Sequence, residues 1–345
     1  MNPLRRGGVR NSYYFSYRTI SKIKEFLSAT REREKLHYPY QCQLRKFFSM
    51  KLKRDHNELT KADDTKGILK ESETPSVNVA LPEDYIARHE KKFNIACQHI
   101  LERDPSLLPL IRNDEFSLYL KETQVSNTLE DYFTRLASTI ISQQISGTAA
   151  KSIKGRVVDH YGGTFPDYRV LFEDFKDPVK NAEIAKCGLS KRKMTYLESL
   201  AVYFTESNKE IEILFGQEDN DAVVIDSLVS NVKGIGPWSA KMFLVSGLKR
   251  MDVFAPEDLG IARGFSKYLS DKPELEKELM RERGEVKKSK IKHKKYNWKI
   301  YDDDVMEKCS EKFAPYRSVF MFILWRLSST NTEAMMKAEK DFVKS

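Results

Sequence analysis

The sequence predicts an all-α fold built as two helical lobes, with the chain crossing between them. Apolar residues recur at helical spacing in one stretch after another from Pro82 onward. The apolar–polar alternation of half-buried strands is hard to find anywhere. Polar or Gly-rich punctuation closes each periodic stretch at an ordinary helix length.

Pro82 to Arg103 places Tyr85, Ile86, Phe93, Ala96, Cys97 and Ile100 on one helical stripe. Leu129 to Ile141 repeats the pattern through Tyr132, Phe133, Leu136 and Ile140. Asn127 or Thr128 supplies its N-cap, with Glu130 and Asp131 in the first turn. A helix over 148–161 is closed by Gly162-Gly163. Further helices are expected at 167–174, 179–186, 193–207, 221–231, 238–248, 259–269, 302–313 and 315–328.

Before Pro82 the composition changes. Residues 1–76 read as a basic, disordered leader and linker, with the polar stretch Asp63–Pro75 as its second half. The first 24 residues hold six Lys/Arg and no acid, a composition shared by mitochondrial transit peptides and by plain basic tails. Met50 is an internal candidate start, which makes residues 1–49 an optional leader. The helical domain is expected over 77–345.

The net charge of +9 looks like a nucleic-acid signature, but residues 1–49 account for most of it, with eleven Lys/Arg against three Glu. The remainder, 48 basic against 47 acidic residues, is near neutral, so DNA affinity must come from how charge is placed. One concentration stands out: residues 281–299 hold nine Lys/Arg and two Glu, including Lys287, Lys288, Lys290, Lys292, Lys294 and Lys295. This reads as an inserted loop, and a solvated face, an import signal and a phosphate-tracking arm all fit it. Cys42, Cys97, Cys187 and Cys309 show no Cys-x-x-Cys spacing, which excludes a zinc ribbon or iron–sulfur cluster on ligand count. No apolar run reaches the length of a membrane span.

Chemistry concentrates in two segments. Val232-Lys233-Gly234-Ile235-Gly236-Pro237-Trp238 reads as a hairpin between helices, within 222–248. Gly234 and Gly236 allow positive φ and let the backbone approach a ligand. Pro237 suits the first helical position, and the free amides of that helix start can hold a DNA phosphate. Lys233 and Lys241 add charge nearby.

Ala255-Pro256-Glu257-Asp258 lies 22 residues beyond Gly236, a helix and a turn later, close enough to return a carboxylate beside the hairpin. Asp258 is both an ordinary N-cap for the following apolar helix and a candidate anion for a developing positive charge; the two roles are compatible. Glu257 and Asp252 are alternatives, but Asp258 alone immediately precedes the apolar helix.

Together with Ile140-Ile141-Ser142-Gln143-Gln144-Ile145-Ser146, Gly188-Leu189-Ser190-Lys191-Arg192-Lys193 and Phe313-Ala314-Pro315-Tyr316-Arg317-Ser318 through Trp325, these segments resemble the helix-hairpin-helix DNA glycosylase superfamily. The match is to its 3-methyladenine branch, of the yeast type, and runs from Met50 to the C-terminus. The resemblance implies an active site in the cleft between two helical lobes, with Asp258 as the catalytic aspartate. Trp238 stands where bifunctional relatives carry a catalytic lysine, so no Schiff base can form and the chemistry is monofunctional hydrolysis. Trp238, Trp325, Met242 and Leu259 line the base pocket, the last two replacing tyrosines of the bacterial alkyladenine enzyme. Gln143 and Gln144 fall where relatives fill the gap left by the flipped base. The carbonyls of Ser230, Val232 and Ile235 match those that bind a monovalent cation at the hairpin.

The implied function is hydrolysis of the N-glycosidic bond of 3-methyladenine and 7-methylguanine in damaged duplex DNA. It leaves an abasic site for a downstream endonuclease, as the first step of base excision repair. An alkylated purine carries positive charge, which an indole face attracts by roughly 0.5–2 kcal/mol. The same charge makes the base a good leaving group without a general acid. The resemblance implies a nuclear monomer with no cofactor beyond the hairpin cation; residues 1–49 leave a mitochondrial address open. A non-catalytic helix-hairpin-helix DNA-binding module is the competing reading.

Overall fold

The computed structural model describes residues 81–113, 115–123, 127–291 and 296–328. The predicted leader and linker, residues 1–76, lie outside them, as do Lys292, Lys294 and Lys295 of the basic segment. The described residues are all-α: fifteen helices and two 3-10 turns, with one isolated β-bridge between His89 and Leu120.

That bridge corrects the single helix expected over 82–103. The chain runs extended at His89 and Glu90, splitting the stretch into α1 (Glu83–Arg88) and α2 (Lys91–Arg103). Glu90 N–H donates to the Tyr119 carbonyl and Lys121 N–H to that of Arg88, each at 2.9 Å. Helical periodicity continues across the break, but a pairing partner thirty residues away decides it. Ile86, placed on the buried stripe, is exposed for the same reason. A 3-10 turn (Pro105–Leu107), the short α3 (Leu108–Arg112) and a second 3-10 turn (Ser117–Tyr119) follow.

Next come α4 (Leu129–Ser142), α5 (Gly147–His160), α6 (Tyr168–Lys176), α7 (Pro178–Lys186) and α8 (Lys191–Glu206). Short polar residues start them: the side chains of Thr128, Ser146, Asp167, Asp177 and Ser190 each accept a first-turn backbone N–H. The helix α9 (Asn208–Gly216) was not predicted; it is short and follows α8 after the single residue Ser207. The hairpin helices α10 (Asp221–Asn231) and α11 (Pro237–Ser246) complete this group. Phe133, Tyr168, Phe204, Phe215 and Phe243 run through its core in tilted and edge-to-face contacts. Burying each such ring is worth about 1.5–3 kcal/mol.

The remaining helices are α12 (Leu259–Ser270), α13 (Pro273–Arg281), α14 (Asp303–Glu311) and α15 (Arg317–Leu327). They pack with one another, and α15 packs on α2 and α3, while α4 to α11 pack among themselves. The two groups are the predicted lobes, and the second joins α2 and α3 to α15, the last of the described helices. The helix α13 was not predicted, and it carries a single buried residue, Leu279; beyond its last residue, Arg281, the described residues of the segment 281–299 form the expected loop.

The segment between α11 and α12 is tied to both groups. Arg250 reaches back to Asp221 at 3.2 Å and donates to the Phe215 carbonyl at 3.0 Å. Forward, Ser318 N–H donates to the Met251 carbonyl, and Val253 N–H to the Ser318 hydroxyl. A segment held at both sides delivers its last residue, Asp258, to a defined place.

Candidate active site

The hairpin is shaped by one positive φ, not two. Gly234 has φ +84°, and a Cβ there would collide with the Tyr196 ring, so only glycine fits. Gly236 has φ −103° and serves as the N-cap of α11; a Cβ there would meet open space. Its use is access: no side chain caps α11, Pro237 takes its first turn, and its leading amides are left for an external anion.

Buried Val232 and Ile235 anchor the loop while Lys233 is exposed. Ser199 on α8 accepts from Lys233 N–H at 3.0 Å and donates to the Asn231 carbonyl at 3.2 Å. Gln143 Nε2 donates to the Gly234 carbonyl at 2.8 Å, which joins the loop after α4 to the hairpin tip. Gln144 sits at φ +59°, uncommon for a side-chain-bearing residue, and its Oε1 accepts from Arg192 at 2.8 Å. Lys193 closes the end of α4 by donating to the Ile141 carbonyl at 2.6 Å. Burial, reinforced by neighbouring Arg192, pulls its ammonium below the usual lysine range.

Asp258 caps α12, its Oδ1 accepting from Ile261 N–H at 2.9 Å. The same oxygen accepts from Trp325 Nε1 at 2.9 Å, and Oδ2 accepts from Trp238 Nε1 at 2.9 Å. Trp238 belongs to α11 of one group and Trp325 to α15 of the other, so the carboxylate sits where the groups meet. The competing carboxylates are committed elsewhere. Asp252 forms a two-point ion pair with Arg317, at 2.8 and 2.9 Å. Glu257 pairs with Lys241 at 2.9 Å.

The predicted pocket residues differ in what they offer. Trp238 is 38% exposed and Leu259 48% exposed, while Met242 is partly buried. Trp325 is only 5% exposed, and Phe322 packs edge-to-face against it at 5.4 Å. Lys241, predicted to touch DNA, also pairs with Glu257.

Among the described residues of the basic segment, four of the cationic side chains are paired with carboxylates of the chain itself. Arg283 bridges Asp302 and Asp304, Lys287 pairs with Glu307, Lys288 with Asp302, and Lys299 with Glu276. These pairs lace its described part onto α13 and α14.

Sequence reading missed Arg192, Tyr196 and Ser199, which hold the hairpin and the Gln143–Gln144 loop. Their only signal was the Gly188–Lys193 motif at the start of α8, which carries no roles by itself.

With this geometry in hand, comparison with known proteins is direct. The model of the HhH-GPD superfamily of base excision DNA repair proteins matches residues 137–289. The chain is 80% identical over 296 residues to the DNA-3-methyladenine glycosylase of Saccharomyces cerevisiae, covering 86% of this chain and 100% of that protein. It is 29% identical over 202 residues to DNA-3-methyladenine glycosylase 1 of Schizosaccharomyces pombe, 57% of this chain and 72% of that one. Among solved structures, the DNA-3-methyladenine glycosidase of Bacillus halodurans aligns with a TM-score of 0.50 at 26% identity, covering 71% of this chain and 94% of its own.

Proposed function

Because the chain belongs to the DNA-3-methyladenine glycosylases of the helix-hairpin-helix base excision repair superfamily, we propose that it acts as a monofunctional hydrolase of alkylated purines in duplex DNA. Its bases are 3-methyladenine and 7-methylguanine, and its product is an abasic site. The observation that carries the site assignment is Asp258, held by three donors, among them the exposed Trp238.

The uncapped start of α11 takes a DNA phosphate on its free amides, with exposed Lys233 beside it. That contact sets the duplex so that the damaged nucleotide turns out toward Asp258. The face of Trp238 receives the cationic base, and Leu259 and Met242 close the apolar surroundings. As the base leaves with its bonding electrons, positive charge grows on the sugar, and the Asp258 carboxylate stabilises it. Water completes the substitution. Position 238 offers no amine, so no covalent enzyme–sugar species forms. Gln144, already in a constrained conformation at the tip of its loop, enters the gap left in the stack.

The carbonyls at the end of α10 suit a monovalent cation. Those of Asn231 and Gly234 are taken by Ser199 and Gln143. The family resemblance assigns the donors to the carbonyls of Ser230, Val232 and Ile235, of which that of Val232 also accepts from Ile235 N–H at 3.2 Å, and a cation there would add positive charge where the phosphate binds. The protein works as a monomer, in the nucleus, and hands its product to an abasic-site endonuclease. Residues 1–49 are the candidate for a mitochondrial address.

The deciding assay is release of methylated bases from alkylated duplex DNA. Wild type should release them without added divalent metal, and Asp258→Asn should lose roughly 10²–10³-fold in single-turnover rate while still binding DNA. Release at the wild-type rate by the variant would remove Asp258 from the mechanism. No release by wild type would leave a DNA-binding module, and a borohydride-trapped adduct would overturn monofunctional hydrolysis.

A further inference from the structure

The two indoles reach Asp258 through their N–H edges, and they are not equivalent. We infer that Trp238 and Trp325 are positioning residues for the Asp258 carboxylate, a task separate from any contact their rings make with the base. This deepens the proposed function and rests on Asp258 being the reacting anion.

An N-cap aspartate needs only the Ile261 N–H to do its structural work. Here each carboxylate oxygen also takes an indole N–H at 2.9 Å. An indole N–H is a donor only, fixed in its ring plane, so it has no other orientation to turn to and cannot exchange a proton with the carboxylate. Trp325 is packed almost completely and braced by Phe322. Trp238 is 38% exposed while its N–H holds Oδ2.

The donors come from both lobes, one from α11 and one from α15. The carboxylate is therefore aimed only when the lobes are in register, and it stays aimed as charge develops on the sugar. A preorganised anion avoids the reorganisation that a free one would undergo at the moment of reaction. Three of its roughly four acceptor positions are already occupied. Asp258 thus acts mainly by its charge, with one position on Oδ2 open toward the sugar or the water.

Trp325→Phe keeps the packing and deletes the donor. Single-turnover release of 7-methylguanine should fall about tenfold or more, while affinity for a duplex carrying an abasic-site analogue stays within about twofold. Trp325→His, which retains a ring N–H, should recover part of the lost rate. Spectroscopy tests the same contacts without touching the fold: the chain has three tryptophans, and their indole 1H–15N signals can be followed separately. Asp258→Asn should move those of Trp238 and Trp325 and leave Trp298 in place. A wild-type rate in Trp325→Phe, or signals that do not move, would overturn the inference. An active Asp258→Asn would instead defeat the proposed function, so the two failures are separable.

Discussion

Around Asp258 each neighbouring charge has a partner, and this organises the residue scale. Lys241 and Glu257 form a partly buried pair one residue from the carboxylate, while Asp252 is held by Arg317. Asp258 is left with neutral donors only, which keeps one uncompensated anion at the junction of the lobes. Lys241 should therefore act on DNA through Glu257. Lys241→Met exposes an extra anion beside the phosphate site and should weaken duplex binding roughly fivefold, about 1 kcal/mol. The double variant Lys241→Met/Glu257→Gln should bind close to wild type in a titration. If the double variant stays as weak as the single one, Lys241 touches phosphate directly.

At the scale of elements, the site depends on how closely α12 and α15 approach. A Cβ at Gly264 would run into the Leu324 carbonyl, so the two backbones are in contact there, one residue before Trp325. Gly264→Ala must push the helices apart. Overpacking of this kind costs about 1–3 kcal/mol, and the thermal midpoint should fall accordingly. Because Asp258 caps the start of α12 and Trp325 lies in the last turn of α15, the Asp258–Trp325 contact should lengthen and base release should slow more than DNA binding weakens. Equal activity and stability in Gly264→Ala would mean that the packing tolerates a shift. The hairpin follows the same logic at Gly234, where the Tyr196 ring sets the limit.

For the whole molecule, acid sensitivity follows from buried histidine. The His89 ring lies between Tyr85 and Phe93, at 4.1 and 5.1 Å, with Nδ1 on the Tyr85 carbonyl and no partner at Nε2. Burial pulls its pKa below the ordinary 6.5, and Arg88 and Arg326 push the same way against the opposing Tyr85 and Glu115 contributions. With the folded value depressed, the unfolded chain binds the proton first as pH falls. Stability is then full above 6.5 and is lost as pH drops below it. Thermal midpoints measured from about pH 7.5 down to about pH 5 should decline, and His89→Gln should flatten that decline. An unchanged slope in the variant would assign the decline to other groups.

Much of the fold was legible in the chain. The capped helices α4 through α8 and α12, and the uncapped hairpin helices α10 and α11, could be read because cap, apolar pattern and the Gly-Pro turn are local properties. So could the hairpin, from Gly234 and Pro237, and Asp258, from its place before an apolar helix. Local pattern failed where a distant segment decided: the break at His89–Glu90 needs the strand-like pairing with residues 119–121, and α13 carries too few apolar residues to declare itself. The same divide runs through the site. Composition told which residue types were present, but an ion pair is invisible until folding brings its halves together, so the carboxylate partners of Lys241 and of the basic segment could not be read. The sequence by itself determined the helical lobes, the hairpin and the carboxylate that caps α12. The tertiary structure decided which charges remain uncompensated and turned the edges of two tryptophans, 87 residues apart, onto the two oxygens of Asp258. Hydrogen bonds and ion pairs act over about 3–4 Å, and only packing brings such distant residues within that range.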